Sequence, residues 1–308
     1  MKKLIYISVI TTIVLVSSVL TLYLATRQTD INIEQFLNNS RKIIKGYGTT
    51  RSNITSGIKI FIMLGQSQMM GFGNPSKFPP SYSRPNKNIL RLEDEGWVIQ
   101  ELDPVFNGPE VSFSNYLHKT IDKVGIIKVA IGGTGIRAFI PNWTWKQAQI
   151  TGDGPKGPLF DLIEKKIKLA ENTGTFEGVF WKQGETDMTL PTAAHNYFFH
   201  LNNIIDGIRG LTRADLPFFV ANYCNLSMLE TPGYTNRQII QERYGYSVLN
   251  SLSISEYLIK NTYVVPHGNL PLGNDGLHFN TEGVVKLGEM LAKSYLKTIL
   301  SRDGSIMV

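Results

Sequence analysis

The sequence predicts an α/β fold: a three-layer sandwich with helices on both faces of a central parallel sheet, preceded by one N-terminal transmembrane helix. Three observations predict it. Apolar, β-branched-rich runs alternate with segments of helical spacing, as in a parallel sheet joined by crossover helices. The first such run ends at a serine, Ser67, at the carboxyl edge of the sheet where open α/β folds keep their sites. Finally, Met1-Lys2-Lys3 precedes 23 uncharged residues, Leu4 to Thr26, and about 20 suffice to cross a bilayer as a helix.

Taken in order, residues 1–27 read as a membrane anchor. The segment ends Leu22-Tyr23-Leu24-Ala25-Thr26-Arg27, bulky where a signal-peptide cleavage site wants small residues. An uncleaved anchor is therefore favoured over a cleaved signal, which stays as the alternative. Lys2 and Lys3 bias the N-terminus to the cytoplasmic side and the rest of the chain outside. Residues 28–56 are a polar stalk with one short helix from Ile33 to Ile44. The main domain runs from 57 to 300 and a tail from 301 to 308.

Within that domain, Ile58 to Leu64 is a buried strand bounded by Gly57 and Gly65. Gly125 to Ile131, Phe176 to Trp181 and Leu216 to Asn222 are further strands. A helix begins near Ser112. Leu159, Ile163, Ile167 and Ala170 recur at helical spacing over 159–172, with Gly174 in the stop region. Phe198, Leu201, Ile205 and Ile208 mark a helix over 193–211, and 282–300 is a terminal amphipathic helix. Long polar loops, 73–88 and 139–157, lie between them, where substrate is usually bound.

Composition narrows the function classes. The chain has 308 residues, 42% of them hydrophobic, enough for one large domain with a buried core. Its net charge of +6 comes from 31 basic and 25 acidic residues without a run of five or six like charges. That is a mildly basic solvated surface, and it argues against a nucleic-acid partner. The single cysteine, Cys224, excludes an internal disulfide and reads as a packed residue at a strand end.

Four polar clusters converge if the sheet is parallel: Gly65-Gln66-Ser67-Gln68-Met69, Gly132-Gly133-Thr134-Gly135, Trp181-Lys182-Gln183-Gly184-Glu185-Thr186-Asp187 and Asp275-Gly276-Leu277-His278. An acyl-transfer site needs a nucleophile, a base, an acid to orient it and donors for the oxyanion. The four clusters contain candidates for each part. In order and spacing they resemble the blocks of the SGNH-hydrolase superfamily. Within it they look like the sialate O-acetylesterase and carbohydrate esterase family 6 acetylesterase branch, which typically has Gly-Gln-Ser-Asn-Met, Gly-Gly-Thr-Ser, Trp-His-Gln-Gly-Glu-Ser-Asp and Asp-x-x-His.

The resemblance implies a flavodoxin-like sandwich and serine-dependent removal of O-acetyl groups from a carbohydrate, with no metal or organic cofactor. It makes Ser67 the nucleophile, His278 the general base and Asp275 the acid that orients it. The oxyanion hole would be the Ser67 N–H, an N–H at Gly132 or Gly133, and the Gln183 amide. Glu185 is the alternative acid, and Glu110 has either a substrate role or a scaffold role. The chain departs from the pattern at Gln68 for Asn, Gly135 for Ser and Lys182 for His. Alternatives of the same class are a short-chain esterase or a sugar O-acetyltransferase. A non-catalytic carbohydrate-binding protein on the same fold is the alternative from another class.

Other features read more plainly. Trp143 and Trp145 either pack their loop or stack on a sugar. Gly133 to Ala138 matches a dinucleotide fingerprint, with Asp153 about 20 residues on, but the stretch before Asp153 is polar and not a second strand. His195 and His200 are five apart on the predicted helix and point to different faces, which disfavours a zinc pair.

Overall fold

A computed structural model describes residues 50–54, 56–144, 146–147, 156–223 and 244–302. The expected anchor and the stalk as far as residue 49 lie outside the described residues, as do Trp145, Asp153 and Cys224. Among the described residues no helix is long and apolar enough to cross a membrane.

Strand β1 (Ile58–Gly65) runs into a one-turn helix, α1 (Ser67–Met70). A 3-10 turn at Pro75–Lys77 and a short helix, α2 (Pro80–Ser83), follow. Then come β2 (Ile89–Glu93), β3 (Gly96–Ile99), α3 (Glu110–Leu117) and β4 (Val124–Ala130). Beyond them lie α4 (Phe160–Ala170), β5 (Gly174–Lys182), α5 (Pro191–His195), α6 (Tyr197–Leu211) and β6 (Phe218–Asn222). The chain closes with α7 (Gly245–Leu258), β7 (Thr262–Pro266) and α8 (Thr281–Arg302). The strands form a sheet in the order β3-β2-β4-β1-β5-β6-β7.

β1 is central because both its edges are used, by β4 and by β5, each in parallel. Every residue of it but Lys59 is buried, which explains a nearly continuous apolar run. Side chains alternate across the pleat, so the two faces carry different cores. On one face Phe61 meets Phe113 of α3 at 5.3 Å and Tyr295 of α8 at 5.0 Å, both edge-on. Phe180 stacks on Phe219 beside them at 4.8 Å. On the other face Trp181 meets Phe139 at 5.0 Å and donates its indole N–H to the Tyr197 hydroxyl. Phe61 is fully buried among three rings, so truncating it to Ala costs about 3–5 kcal/mol.

The structure corrects the expected layout in four places. The sheet is mostly parallel, not wholly so, because β2 and β3 form an antiparallel hairpin at one edge. Residues 50–52 of the expected stalk belong to the domain: Ile99 donates to the Thr50 carbonyl at 3.0 Å and Ser52 to the Trp97 carbonyl at 3.0 Å. The helix expected over 193–211 is two helices. Asn196 leaves helical geometry at φ −101° and ψ 8°, and its amide bonds the Thr192 carbonyl at 2.8 Å, a local bond that competes with the helix. The terminal helix runs on to Arg302, into the expected tail.

Candidate active site

The nucleophile candidate follows a close approach of β1 to β5. A β-carbon at Gly65 would lie 2.0 Å from the Lys182 carbonyl oxygen, so only glycine fits there. One residue on, the chain turns: Met69 and Met70 donate to the Gln66 carbonyl at 2.9 and 2.8 Å, and Gly71 to the Ser67 carbonyl at 2.8 Å. Ser67 therefore opens α1 at the carboxyl edge of the central strand.

Below that helix lies a buried ion pair. Lys128, on β4, donates to the Met70 carbonyl at 2.8 Å and pairs with Glu110 at 2.7 Å. Glu110 also accepts the Gly108 N–H at 3.0 Å. Burial lowers the Lys128 pKa from its ordinary value, against the pull of Glu110. Glu110 is thus a strut beneath the Ser67 turn. Removing one partner of such a pair leaves an uncompensated buried charge and costs about 3–5 kcal/mol.

The glycine cluster after β4 closes in from the side. A β-carbon at Gly132 would lie 3.7 Å from the Ser67 Cβ. Gly133 has φ +65°, and its carbonyl accepts from Lys156 at 3.0 Å. The supposed fingerprint leads into a 3-10 turn, Ile136–Phe139, not a helix. Its first N–H, at Ile136, donates to both oxygens of Asp187 at 3.1 and 3.0 Å.

Gln183 departs from expectation. Its amide nitrogen faces three protein acceptors: the Thr134 carbonyl at 2.9 Å, Gln66 Oε1 at 3.1 Å and the Asp187 carboxylate. An amide has two hydrogens, so both are committed inside the protein. Its oxygen accepts from the Tyr197 hydroxyl at 2.7 Å. In this geometry Gln183 ties the residue before Ser67 to the glycine cluster.

Asp275 and His278 are brought together. Asp275 Oδ2 lies 2.6 Å from His278 Nδ1, while Oδ1 accepts the N–H groups of Leu277 and His278, both at 3.0 Å. The Asp275 carboxyl is held down to about 2, first by the Leu277 N–H and then by His278. Gln68, buried beside Ser67, bonds the Leu277 carbonyl at 2.8 Å and the Phe279 N–H at 3.0 Å. Phe72 covers the imidazole at 4.4 Å between ring centres. A pocket of about 680 Å³ opens here, lined by Phe72, Asn74, Lys77, Asp275, His278 and Glu282 among others.

Glu185 is turned elsewhere. It pairs with the buried Lys182 and accepts the Tyr223 hydroxyl at 3.0 Å. Burial pushes its carboxyl up, but the Lys182 charge and these bonds outweigh it and the net shift is down. Lys182 also lies 4.4 Å from the Tyr223 ring centre. Next to this pair, His267 is packed between Tyr223 at 4.5 Å and Phe279 at 5.5 Å. Burial, then the Lys182 charge, lowers His267 to about 3. The Arg137 guanidinium lies over the Trp143 ring, 6.0 Å from its centre, and His195 and His200 pack against Tyr244 and Phe199. Among the described residues no group of three or more His, Cys, Asp or Glu could hold a metal. The sequence reading did not single out Gln66, Tyr197, Lys128 or His267. Gln66 matches the Gln of the Gly-Gln-Ser block, which could have pointed to it, and the other three carry no motif.

Comparison with known proteins bears on the family and the fold. A model of the family "Carbohydrate esterase, sialic acid-specific acetylesterase" matches residues 57–297. A protein of Arabidopsis thaliana described as a probable carbohydrate esterase is 25% identical over 268 residues, covering 77% of this chain and 90% of its own. The solved structure of that plant protein superposes with a TM-score of 0.61 at 24% identity, over 78% of this chain and 98% of its own. The structure of NanS shares the fold with a TM-score of 0.58 at 13% identity, over 80% and 99%.

Proposed function

This chain belongs to the family of carbohydrate esterases described as sialic acid-specific acetylesterases, and from that premise we propose that it removes O-acetyl groups from a carbohydrate through an acetyl-serine intermediate. The enzyme is a hydrolase acting on ester bonds. In the proposed mechanism Ser67 Oγ attacks the acetyl carbonyl carbon as its proton passes to His278 Nε2. The oxyanion is met by the Ser67 N–H, which has no intrahelical partner at the first turn of α1, and by an N–H at Gly132 or Gly133. The tetrahedral species collapses, the ester C–O bond breaks, and the sugar oxygen leaves with the proton from His278. Water then adds to the acetyl-serine with His278 as base, and acetate leaves as Ser67 regains its proton.

One observation carries the reading: Asp275 Oδ2 lies 2.6 Å from His278 Nδ1. That contact favours the tautomer in which Nδ1 carries the hydrogen and donates it to the Asp275 carboxylate, with Nε2 free to accept a proton. The pocket beside His278, with an aromatic ring, asparagines, a lysine and a glutamate, suits a polyhydroxylated leaving group. The sequence further supports a domain held outside the cytoplasm by residues 1–27.

The test is acetate release by the full-length chain from acetylated sialic acid, xylan and peptidoglycan fragments. Ser67→Ala is expected to abolish release and to lose the acetyl adduct seen by mass spectrometry after quenching. Ser67→Ala activity within tenfold of the parent would overturn the mechanism.

A further inference from the structure

The Ser67 turn and the Asp275–His278 loop come from opposite ends of the domain, and one side chain joins them. Gln68 is 2% exposed. Its Nε2 donates to the Leu277 carbonyl at 2.8 Å, and its Oε1 accepts the Phe279 N–H at 3.0 Å. The two bonds straddle His278. A side-chain amide used in this way imitates the paired C=O and N–H that a neighbouring strand presents. It fixes the backbone on both sides of the histidine, and with it the direction of the Cα–Cβ bond. Asp275 fixes the ring itself through Nδ1.

We propose that Gln68 is a positioning residue that holds His278 at the correct place for proton transfer with Ser67. The inference rests on the reading in which those two residues exchange the proton. Gln68 is the next residue after Ser67, so the path from nucleophile to base is one peptide link, one side chain and two hydrogen bonds. The fastening moves with the nucleophile, and a shift of the surrounding loops leaves the pair in register. Side-chain length matters as well. An asparagine at this position would withdraw the amide by roughly 1.5 Å, one carbon–carbon bond, and it could not meet both backbone groups where they stand.

The test is a double-mutant comparison on the full-length chain, read as kcat and KM for an aryl acetate. Gln68→Met keeps the length and removes both bonds. Its kcat is expected to fall about 100-fold, the cost of misplacing a reacting group by about 1 Å, with KM and the circular dichroism spectrum unchanged. In a His278→Ala background the same substitution is expected to cost nothing further, because its effect passes through that imidazole. A loss of equal size in both backgrounds overturns the proposal, and so does a Gln68→Met enzyme with the parental kcat. If Gln68→Met does not fold, Gln68→Glu replaces it, keeping the acceptor for Phe279 and losing the donor to Leu277. A kcat equal to the parent's then overturns the proposal, and a drop confined to the His278 background supports it. Ser67→Ala and His278→Ala run alongside: if they keep activity, the esterase mechanism fails, whereas if they are inactive and Gln68 is silent, only the positioning role fails.

Discussion

Replacing Asp275 with asparagine changes one atom in the contact that orients His278. The variant's Oδ1 can still accept the Leu277 and His278 N–H groups, both at 3.0 Å in the parent, so the loop keeps its shape. What changes is the group 2.6 Å from His278 Nδ1, where an acceptor becomes an N–H donor. Two donors cannot face each other at that distance. The neutral imidazole responds by presenting its lone pair at Nδ1 and carrying its hydrogen on Nε2, the wrong tautomer for taking the Ser67 proton. The expected loss is on the order of 10⁴ in kcat, or about 5.4 kcal/mol of barrier. Asp275 stays ionised at any pH above about 2 in the parent, so ordinary assay pH does not titrate the contact away. Release of nitrophenol from its acetate gives kcat and KM between pH 6 and 9, and circular dichroism checks the fold. Asp275→Ala, which also gives up the two backbone bonds, should add a lower melting temperature to the same loss. A kcat for Asp275→Asn within tenfold of the parent refutes the assignment of Asp275 as the orienting acid.

Glu185→Gln should behave in the opposite way: it leaves the buried Lys182 charge unbalanced, so stability to urea falls by about 3 kcal/mol while kcat at low temperature stays within tenfold. Gly65→Ala forces a methyl group to within 2.0 Å of the Lys182 carbonyl; destabilisation of at least ~3 kcal/mol and loss of activity are expected together, and normal melting would refute the close approach. His267 gives the pH dependence. Its folded pKa, about 3, lies below that of an exposed imidazole, 6.5, so between those values the unfolded chain binds the extra proton. Stability is full well above pH 6.5 and declines as the pH falls towards 3, at a limiting slope of about 1.4 kcal/mol per pH unit from this residue. Urea titrations at pH 6.5 and 4.5 should show the parent losing ~2.3 kcal/mol more than His267→Phe, and parallel losses would place the imidazole in water.

The strands that pair on both edges were readable because burial on both faces writes an unbroken apolar run, as in Ile58 to Leu64. Strand β2 was not, because Arg91 and Glu93 interrupt it, and in the fold these two are buried and paired at 2.8 Å. Charge in the sequence looked like surface where it was a buried ion pair. α7 escaped notice because four serines and one asparagine blur its apolar spacing. Asp275 and His278 stand on the page as a short motif whose contact is local, so sequence spacing suffices to see it. The partners of Gln183 and Glu185 come from distant segments, Tyr197, Thr134 and Tyr223. No spacing rule reaches them, and it was there that the expected oxyanion donor and the alternative acid turned out to be engaged elsewhere.

The bond from Gln68 to Leu277 spans 209 positions of the chain. During synthesis the serine emerges early, and the histidine appears only when nearly the whole domain has been made. At about 5–20 residues per second, the interval is roughly 10–40 seconds. Throughout it the growing chain holds the proposed nucleophile without the proposed base. Premature termination anywhere before Asp275 therefore yields a fragment without the base. In the proposed mechanism, esterase activity therefore cannot appear before His278 has been made.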